Sequence, residues 1–180
     1  LRHLCRSFAK APGGSRGAAD PHAGASGLYA RTGTRARTLA VLRSAGTAGL
    51  VVSYDQREEC LDAAKRASVD TLGSRPTNLT LKHAVAYLGF DEKEMEMDRV
   101  LLDLPEPWQA VPGAKVALRP CGIIFAHCPN VSQVQRFFDC LREVRGFGML
   151  EVFELLQRRW TVRGRRLRPS HPLVGQTGFL

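Results

Sequence analysis

The chain has 180 residues, 44% of them hydrophobic and 24% charged, which is typical of one globular domain with a substantial core. No run of 18 or more apolar residues occurs, so the sequence predicts a soluble protein without a membrane partner. The five cysteines are scattered and contain no Cys-x-x-Cys pair, which favours reduced thiols in the cytoplasm over a zinc or redox site.

The formal net charge of +9 is unevenly distributed along the chain. It divides into +7 for residues 1–49, −5 for residues 50–110 and +7 for residues 111–180. Clustered arginine in a basic protein is typical of nucleic-acid binding, although solubility alone would explain part of it. We therefore expect a polyanionic partner.

Residues 1–27 are poor in core-forming side chains and rich in Gly, Ala and Arg. This composition predicts a disordered segment or one foreign to the domain that follows. The segment is also acid-poor and begins without methionine, so a transit peptide and a truncated record are both open interpretations.

From residue 34 onward, hydrophobic periodicity predicts alternating helices and strands. The predicted segments are a helix over Thr34–Arg43, a strand over Leu50–Tyr54, a helix from about Arg57 to Val69, a strand over Leu79–Lys82, an acidic connector over 91–98, a strand over Val100–Leu102, a short helix or loop through 116–118, a strand over Cys121–Ala126, a helix that Pro129 begins, a strand or mixed segment over Leu150–Leu156, a basic linker over 158–169, and a final short strand over Gly175–Leu180. This alternation predicts an α/β fold with a doubly wound, mostly parallel sheet.

The hydrophobic run Val100–Leu102 stops at Asp103, and two prolines follow within the segment Asp-Leu-Pro-Glu-Pro-Trp. A branched apolar run that ends at an acid and a rigid loop indicates a buried parallel strand. Asp103 would then lie at the carboxyl edge of the sheet, where open α/β sheets bind their ligands. A charged loop after a core strand is the alternative.

Asp55 takes an equivalent position after the strand Leu50–Tyr54. Nucleoside-binding proteins place a carboxylate there to accept hydrogen bonds from both ribose hydroxyls. An acid after a strand is common, but the loop of residues 31–37 and Asp103 together with it favour a nucleoside cofactor cleft.

Several separated motifs resemble the tRNA adenine-58 N1-methyltransferases. They are Val-Val-Ser-Tyr-Asp-Gln-Arg at 51–57, Asp-Leu-Pro-Glu-Pro-Trp at 103–108, Pro-Asn-Val-Ser-Gln-Val at 129–134, Trp-Thr-Val-Arg at 160–163, Arg-Pro at 168–169 and Val-Gly-Gln-Thr-Gly-Phe at 174–179. The resemblance implies a class I, Rossmann-like methyltransferase fold over residues 28–180, with a final antiparallel strand and without the family's N-terminal β-domain.

The resemblance also implies S-adenosylmethionine as cofactor, tRNA as substrate and no metal. It makes Asp103 catalytic and Asp55 the ribose ligand. The implied cofactor-binding residues are Gly33, Thr34, Arg35, Ala36, Arg37, Asp55, Cys60 and Asp103. It implies a homotetramer or a hetero-oligomer with a paralogous subunit.

A carboxylate suits this chemistry because adenine N1 is a lone-pair nucleophile whose methylation leaves a cationic base. Asp103 can accept a hydrogen bond from the 6-amino group, orient N1 and favour the developing positive charge. Trp108 either stacks on a base or packs the loop. The basic segment predicts phosphate contacts from Arg163, Arg165, Arg166 and Arg168, and the alternative is a solvated linker without RNA contacts.

The chain departs from the family in its cofactor loop, where Arg31 and Arg35 replace two of three glycines. Glycine permits close approach of the backbone to a ligand, and an arginine side chain impairs it. The acid expected near the third strand is missing from His83–Ala86, and Gln176 replaces the usual histidine of the last motif. The alternative function is therefore a truncated or degenerate, non-catalytic relative that binds RNA or acts as a scaffolding subunit.

Overall fold

The computed structural model describes residues 24–30, 35–91, 96–152, 160–164 and 166–169. Its main sheet has five strands in the order β3-β2-β1-β4-β5, and every neighbouring pair is parallel. The strands are Gly27–Ala30 (β1), Val51–Asp55 (β2), Leu79–His83 (β3), Met97–Leu102 (β4) and Leu118–Ala126 (β5). The predicted parallel α/β sheet is confirmed.

Helices cover both faces of this sheet. The α-helices of the described ranges are Arg35–Ala45 (α1), Glu58–Leu72 (α2), Val111–Ala117 (α3) and Val131–Val144 (α4), and short 3-10 helices span Ala86–Leu88 and Pro107–Ala110. None of these helices has the length and apolar character needed to cross a membrane.

Neighbouring residues of β1, β2, β4 and β5 enter two separate cores, which is how a parallel sheet buries both its faces. Tyr29 and Leu101 pack against Val41 and Leu42 of α1. On the opposite face, strand residues pack against α3 and α4, and this larger core includes Leu28, Tyr54, Val100, Leu102, Val111, Ala114, Phe137 and Leu141. The fold is therefore doubly wound.

Asp98 fastens the amino edge of the sheet. Its Oδ2 accepts a hydrogen bond of 2.7 Å from the backbone nitrogen of Ser26, and its own backbone nitrogen donates to Ser26 O at 2.8 Å. Its Oδ1 forms an ion pair with Arg119. Asp98 is only 8% exposed, so a buried carboxylate joins the entrances of β1, β4 and β5.

Strand β5 contains a bulge beside Asp98. Met97 pairs with Leu118 and Arg99 with Ile123, so residues 119–122 stand opposite a single residue of β4. Because of this bulge the strand begins three residues earlier than predicted. The acidic connector likewise ends earlier than predicted, since Met97 and Asp98 belong to β4.

The prediction of a basic linker over residues 158–169 was wrong for its described part. Trp160–Arg163 (β6) and Arg166–Pro169 (β7) form an antiparallel pair of their own. The aromatic and β-branched residues of β6 favour a strand, and Gly164 turns the chain with a φ of 54°. The predicted final strand Gly175–Leu180 lies outside the described residues, and residues 150–152 have no regular structure.

Candidate active site

The two predicted acids lie at the carboxyl edge of the sheet, beside the end of β1. Ala30 pairs with Tyr54 on one side and with Leu102 on the other, and Asp55 and Asp103 are the next residues. The backbone nitrogen of Asp103 donates to Ala30 O at 3.3 Å. Chain connections reverse direction between β1 and β4, so the acids flank the topological switch point where such sheets bind ligands.

Asp55 is held in place by the residue that precedes α2. Its Oδ1 accepts hydrogen bonds from the backbone nitrogen of Arg57 at 3.0 Å and from Arg57 Nε at 3.4 Å. The hydrogen bond and charge of Asp55 raise the pKa of the Arg57 guanidinium above its usual value. The Asp55 side chain is 2% exposed, so the carboxylate has a fixed position.

His83 pairs with Asp55 at the end of β3, near which the acid expected from the resemblance is missing. Its Nε2 donates to the backbone oxygen of Gln56 at 3.0 Å. The imidazole ring therefore lies next to Asp55 at the carboxyl ends of β2 and β3, but it supplies no negative charge there.

Asp103 has a partner that the sequence reasoning missed. His127 Nδ1 lies 3.6 Å from Asp103 Oδ1, and the His127 backbone nitrogen donates to Leu102 O at 3.0 Å. His127 directly follows β5, as Asp103 follows β4, and that position after a predicted strand was the available signal. The candidate acceptor side of the cleft thus contains a carboxylate beside an imidazole.

Trp108 packs the loop that follows Asp103. The guanidinium carbon of Arg136 lies 5.5 Å from the centre of its ring, and Cys140 Sγ donates to its backbone oxygen at 3.3 Å. Burial raises the pKa of the Cys140 thiol, so it stays a donor. Both contacts come from α4 and favour the packing interpretation over base stacking.

The other predicted site residues are distributed more widely. Gly33 and Thr34 lie outside the described residues, and Arg35, Ala36 and Arg37 form the first turn of α1. Cys60 lies partly exposed in the first turn of α2, with its backbone nitrogen bonded to Arg57 O at 3.1 Å. Arg163, Arg166 and Arg168 belong to the β6–β7 hairpin, and Arg165 is outside the description.

A groove of about 540 Å³ lies elsewhere, between α2 and the beginning of β3. Lys65, Arg66, Arg75 and Leu79 are among its lining residues. Since Asp55 pairs with His83 at the other end of β3, the groove is separate from the acids and forms no part of the candidate site.

The strand order, the two helical layers and the acids at the switch point define a Rossmann-like methyltransferase fold. A solved SAM-dependent O-methyltransferase from Thermotoga maritima matches 89% of this chain and 58% of its own, with a TM-score of 0.77 and 31% identity. The tRNA (m1A58) methyltransferase TrmI from Aquifex aeolicus has a TM-score of 0.72 over 86% of this chain and 60% of its own, and at 22% identity it shows the fold alone.

The family model described as tRNA methyltransferase complex GCD14 subunit matches residues 21–176, and the chain belongs to this family. The tRNA (adenine(58)-N(1))-methyltransferase TrmI of Thermus thermophilus is 35% identical over 157 residues, which cover 85% of this chain and 58% of that protein. The TRM61 catalytic subunit of Yarrowia lipolytica is 32% identical over a stretch that covers 78% of this chain and 36% of that protein. The chain thus spans about three fifths or less of the length of these relatives.

Proposed function

We propose that this chain contains the catalytic domain of an enzyme that transfers a methyl group from S-adenosylmethionine to N1 of adenine 58 in the T-loop of tRNA. The observation that carries the proposal is the placement of Asp55 and Asp103 on either side of the end of β1. Relatives with 35% and 32% identity are named for this reaction, which supports the same assignment.

The described residues fit the nucleoside part of this cofactor. The Asp55 carboxylate is buried, and Arg57 holds one of its oxygens at the edge where a ribose would bind. In our proposal Asp55 binds the ribose hydroxyls, Gly33 and Thr34 to Arg37 supply backbone N–H groups, and Cys60 lies near the bound nucleoside. The cofactor supplies an electrophilic sulfonium methyl group.

Asp103 acts on the acceptor in this proposal. Its carboxylate accepts a hydrogen bond from the adenine 6-amino group and favours the positive charge that develops on the ring. N1 has no proton to lose, so the residue orients and stabilises without acting as a general base. His127, 3.6 Å from Asp103 Oδ1, limits the directions that the carboxylate can take.

The β6–β7 hairpin supplies the proposed RNA contacts. Arg166 and Arg168 are exposed on β7, and Arg168 pairs across the hairpin with Thr161. With Arg163 and Arg165 they make a short basic segment that suits a phosphate backbone. We propose tRNA as the partner, the cytoplasm as the compartment, and either a homotetramer or a hetero-oligomer with a paralogous subunit as the assembly.

A second function is favoured by one feature of the sequence. Arg31 and Arg35, the latter the first residue of α1, stand where the resemblance implies glycines of the cofactor loop. An arginine at such a position reduces the close backbone approach that a nucleoside cofactor needs. The second candidate is therefore a non-catalytic RNA-binding or scaffolding subunit with the same fold.

Calorimetric titration with S-adenosylmethionine separates the two functions. If the chain is an enzyme, it should bind S-adenosylmethionine saturably, and Asp55→Asn should weaken that binding. Mass spectrometry should then detect N1-methyladenosine in tRNA. A tRNA with guanine at position 58 is the substrate control. No heat at millimolar cofactor, with tRNA binding retained, would establish the second function. Cofactor binding gained by Arg31→Gly/Arg35→Gly would then show that the two arginines caused the loss.

A further inference from the structure

One peptide group in the loop after Asp103 is bound on both its polar sides. Gln133 Nε2 donates to the carbonyl oxygen of Pro105 at 2.8 Å. The nitrogen of the same peptide, which belongs to Glu106, donates to the hydroxyl oxygen of Tyr87 at 3.3 Å. Two side chains from different elements therefore fix the plane of a single peptide bond.

Each of these side chains has a fixed origin. Gln133 belongs to the first turn of α4, where its backbone nitrogen donates to the capping Asn130 Oδ1 at 3.0 Å. Tyr87 belongs to the 3-10 helix Ala86–Leu88 and packs against the larger core. The two hydrogen bonds thus tie the loop to the layer that covers one face of the sheet.

The flanking prolines stiffen the loop around this peptide. Proline fixes φ near −65°, so Pro105 and Pro107 remove two free backbone torsions close to the Pro105–Glu106 peptide, and a rotation of that peptide would shift the residues that precede it. Asp103 is two residues upstream, and its backbone nitrogen is bound to Ala30 O at 3.3 Å. The carboxylate therefore lies between two fixed points of the backbone.

We propose that Tyr87 and Gln133 are positioning residues that set the orientation of Asp103 toward the methyl acceptor. This inference rests on the proposed function, since it assigns them a role in the same reaction. The two residues contact the loop and not the acceptor. A displacement of about 1 Å at a reacting group lowers a rate about 100-fold, so loss of either hydrogen bond reduces turnover more than binding.

The kinetic test uses Tyr87→Phe and Gln133→Met, which remove one polar group each and preserve the size of the side chain. We expect kcat for tRNA methylation to fall about 10- to 100-fold, while KM for tRNA and the Kd for S-adenosylmethionine change less than about twofold. The double variant should lose little more than the worse single variant, because both changes release one peptide group.

The matched control is Gln135→Met. Gln135 lies on the same helix but bonds Asp139 on the exposed side, with Nε2 at 3.0 Å from Oδ1. The kcat of the Gln135→Met variant should equal that of the parent chain. Increases in KM at constant kcat, losses that multiply in the double variant, or an equal loss in the control would each overturn the proposal.

A second readout does not depend on methyl transfer. The Glu106 amide should exchange its hydrogen at least about tenfold faster in Tyr87→Phe than in the parent, and the carboxyl carbon resonance of Asp103 should shift in both variants but not in Gln135→Met. If the parent chain transfers no methyl group, the proposed function fails while these measurements still decide the positioning role. Unchanged exchange at Glu106 and an unchanged Asp103 resonance would overturn it.

Discussion

Asp55 and Asp103 lie at the same level of the sheet, one on each side of the chain where it leaves β1. Each follows the residue that pairs with Ala30, so two strand spacings, about 10 Å, separate their backbones. Asp55 is 5% exposed and Asp103 is 7% exposed. Two buried carboxylates therefore flank the end of β1, and a ligand with a cationic centre bound between them would be attracted by both.

The positions of the two acids predict different defects on substitution. Asp55→Asn should weaken S-adenosylmethionine binding about 10- to 100-fold, because a charged acceptor of two hydroxyl groups is lost. Asp103→Asn should lower kcat about 100- to 1000-fold with tRNA affinity nearly unchanged, because the contact is to one base and not to phosphates. Calorimetry and single-turnover kinetics measure the two effects.

The assignments would be contradicted by the reverse pattern. A large loss of tRNA affinity in Asp103→Asn would make that residue a binding group. Full cofactor affinity in Asp55→Asn would remove the ribose contact from the proposal.

The hairpin arginines should contribute to RNA affinity through charge alone. Arg166→Gln/Arg168→Gln is expected to reduce the slope of log Kd against log salt concentration by about 2, since each lost phosphate contact removes about one unit. Filter binding of tRNA between 50 and 200 mM salt measures this, a range over which such contacts are strongly screened. Arg75→Gln/Arg142→Gln removes the same charge from other elements and should leave the slope nearer to that of the parent.

The bulge in β5 predicts two opposite changes in stability. Cys121 has a φ of 63°, which is strained for a residue with a side chain, so Cys121→Gly should stabilise the fold by about 0.5–1 kcal/mol. At Gly122 an added Cβ would lie 2.9 Å from Arg119 O and 2.8 Å from Leu118 Cδ2. Gly122→Ala should therefore destabilise it by about 1–3 kcal/mol. Denaturant unfolding of the two variants would reveal an error if both shifted in the same direction.

Cys128 makes stability depend on alkaline pH. It is buried, and desolvation raises the pKa of its thiol from 9.0 to about 11. Between these values the unfolded chain releases the proton and the folded chain keeps it, so the free energy of unfolding falls as the pH rises, by roughly 2 to 3 kcal/mol in total. Below pH 9 the thiol has no such effect.

Replacement of Cys128 isolates its contribution from that of other groups. The free energy of unfolding of Cys128→Ala, followed from pH 8 to 11, should fall less steeply than that of the parent chain. Cys121→Ala removes an exposed thiol and should retain the parent slope. Equal slopes in all three proteins would show that Cys128 ionises normally in the folded state.

The acids were predictable from the sequence because each ends a run of apolar residues. Val51–Asp55 and the strand ending at Leu102 are buried on both faces, and such strands give continuous hydrophobic runs. Strand β1 was harder to predict, since Gly-Leu-Tyr-Ala is only four residues long and has no period of its own. Its place in the centre of the sheet comes from tertiary pairing with β2 and β4.

The remaining site features depend on contacts between distant segments. His127 and Asp103 are 24 positions apart and meet because β4 and β5 are neighbours. The bonds of Gln133 and Tyr87 to one peptide depend on how α4 and a 3-10 helix pack, which periodicity does not encode. The hairpin was mistaken for a linker because its arginines masked the strand pattern of Trp160–Val162.

The position of Asp98 affects how variants of this protein should be assessed. The carboxylate binds Ser26 and Arg119 at the amino edge, whereas Asp55 and Asp103 lie at the opposite edge. A buried carboxylate that joins three strands and the two candidate functional carboxylates thus lie at opposite ends of the same sheet. A thermal melt of this protein measures whether the fold is intact and does not measure whether the carboxylates at the carboxyl edge function. A well-folded preparation is therefore no evidence of a working enzyme.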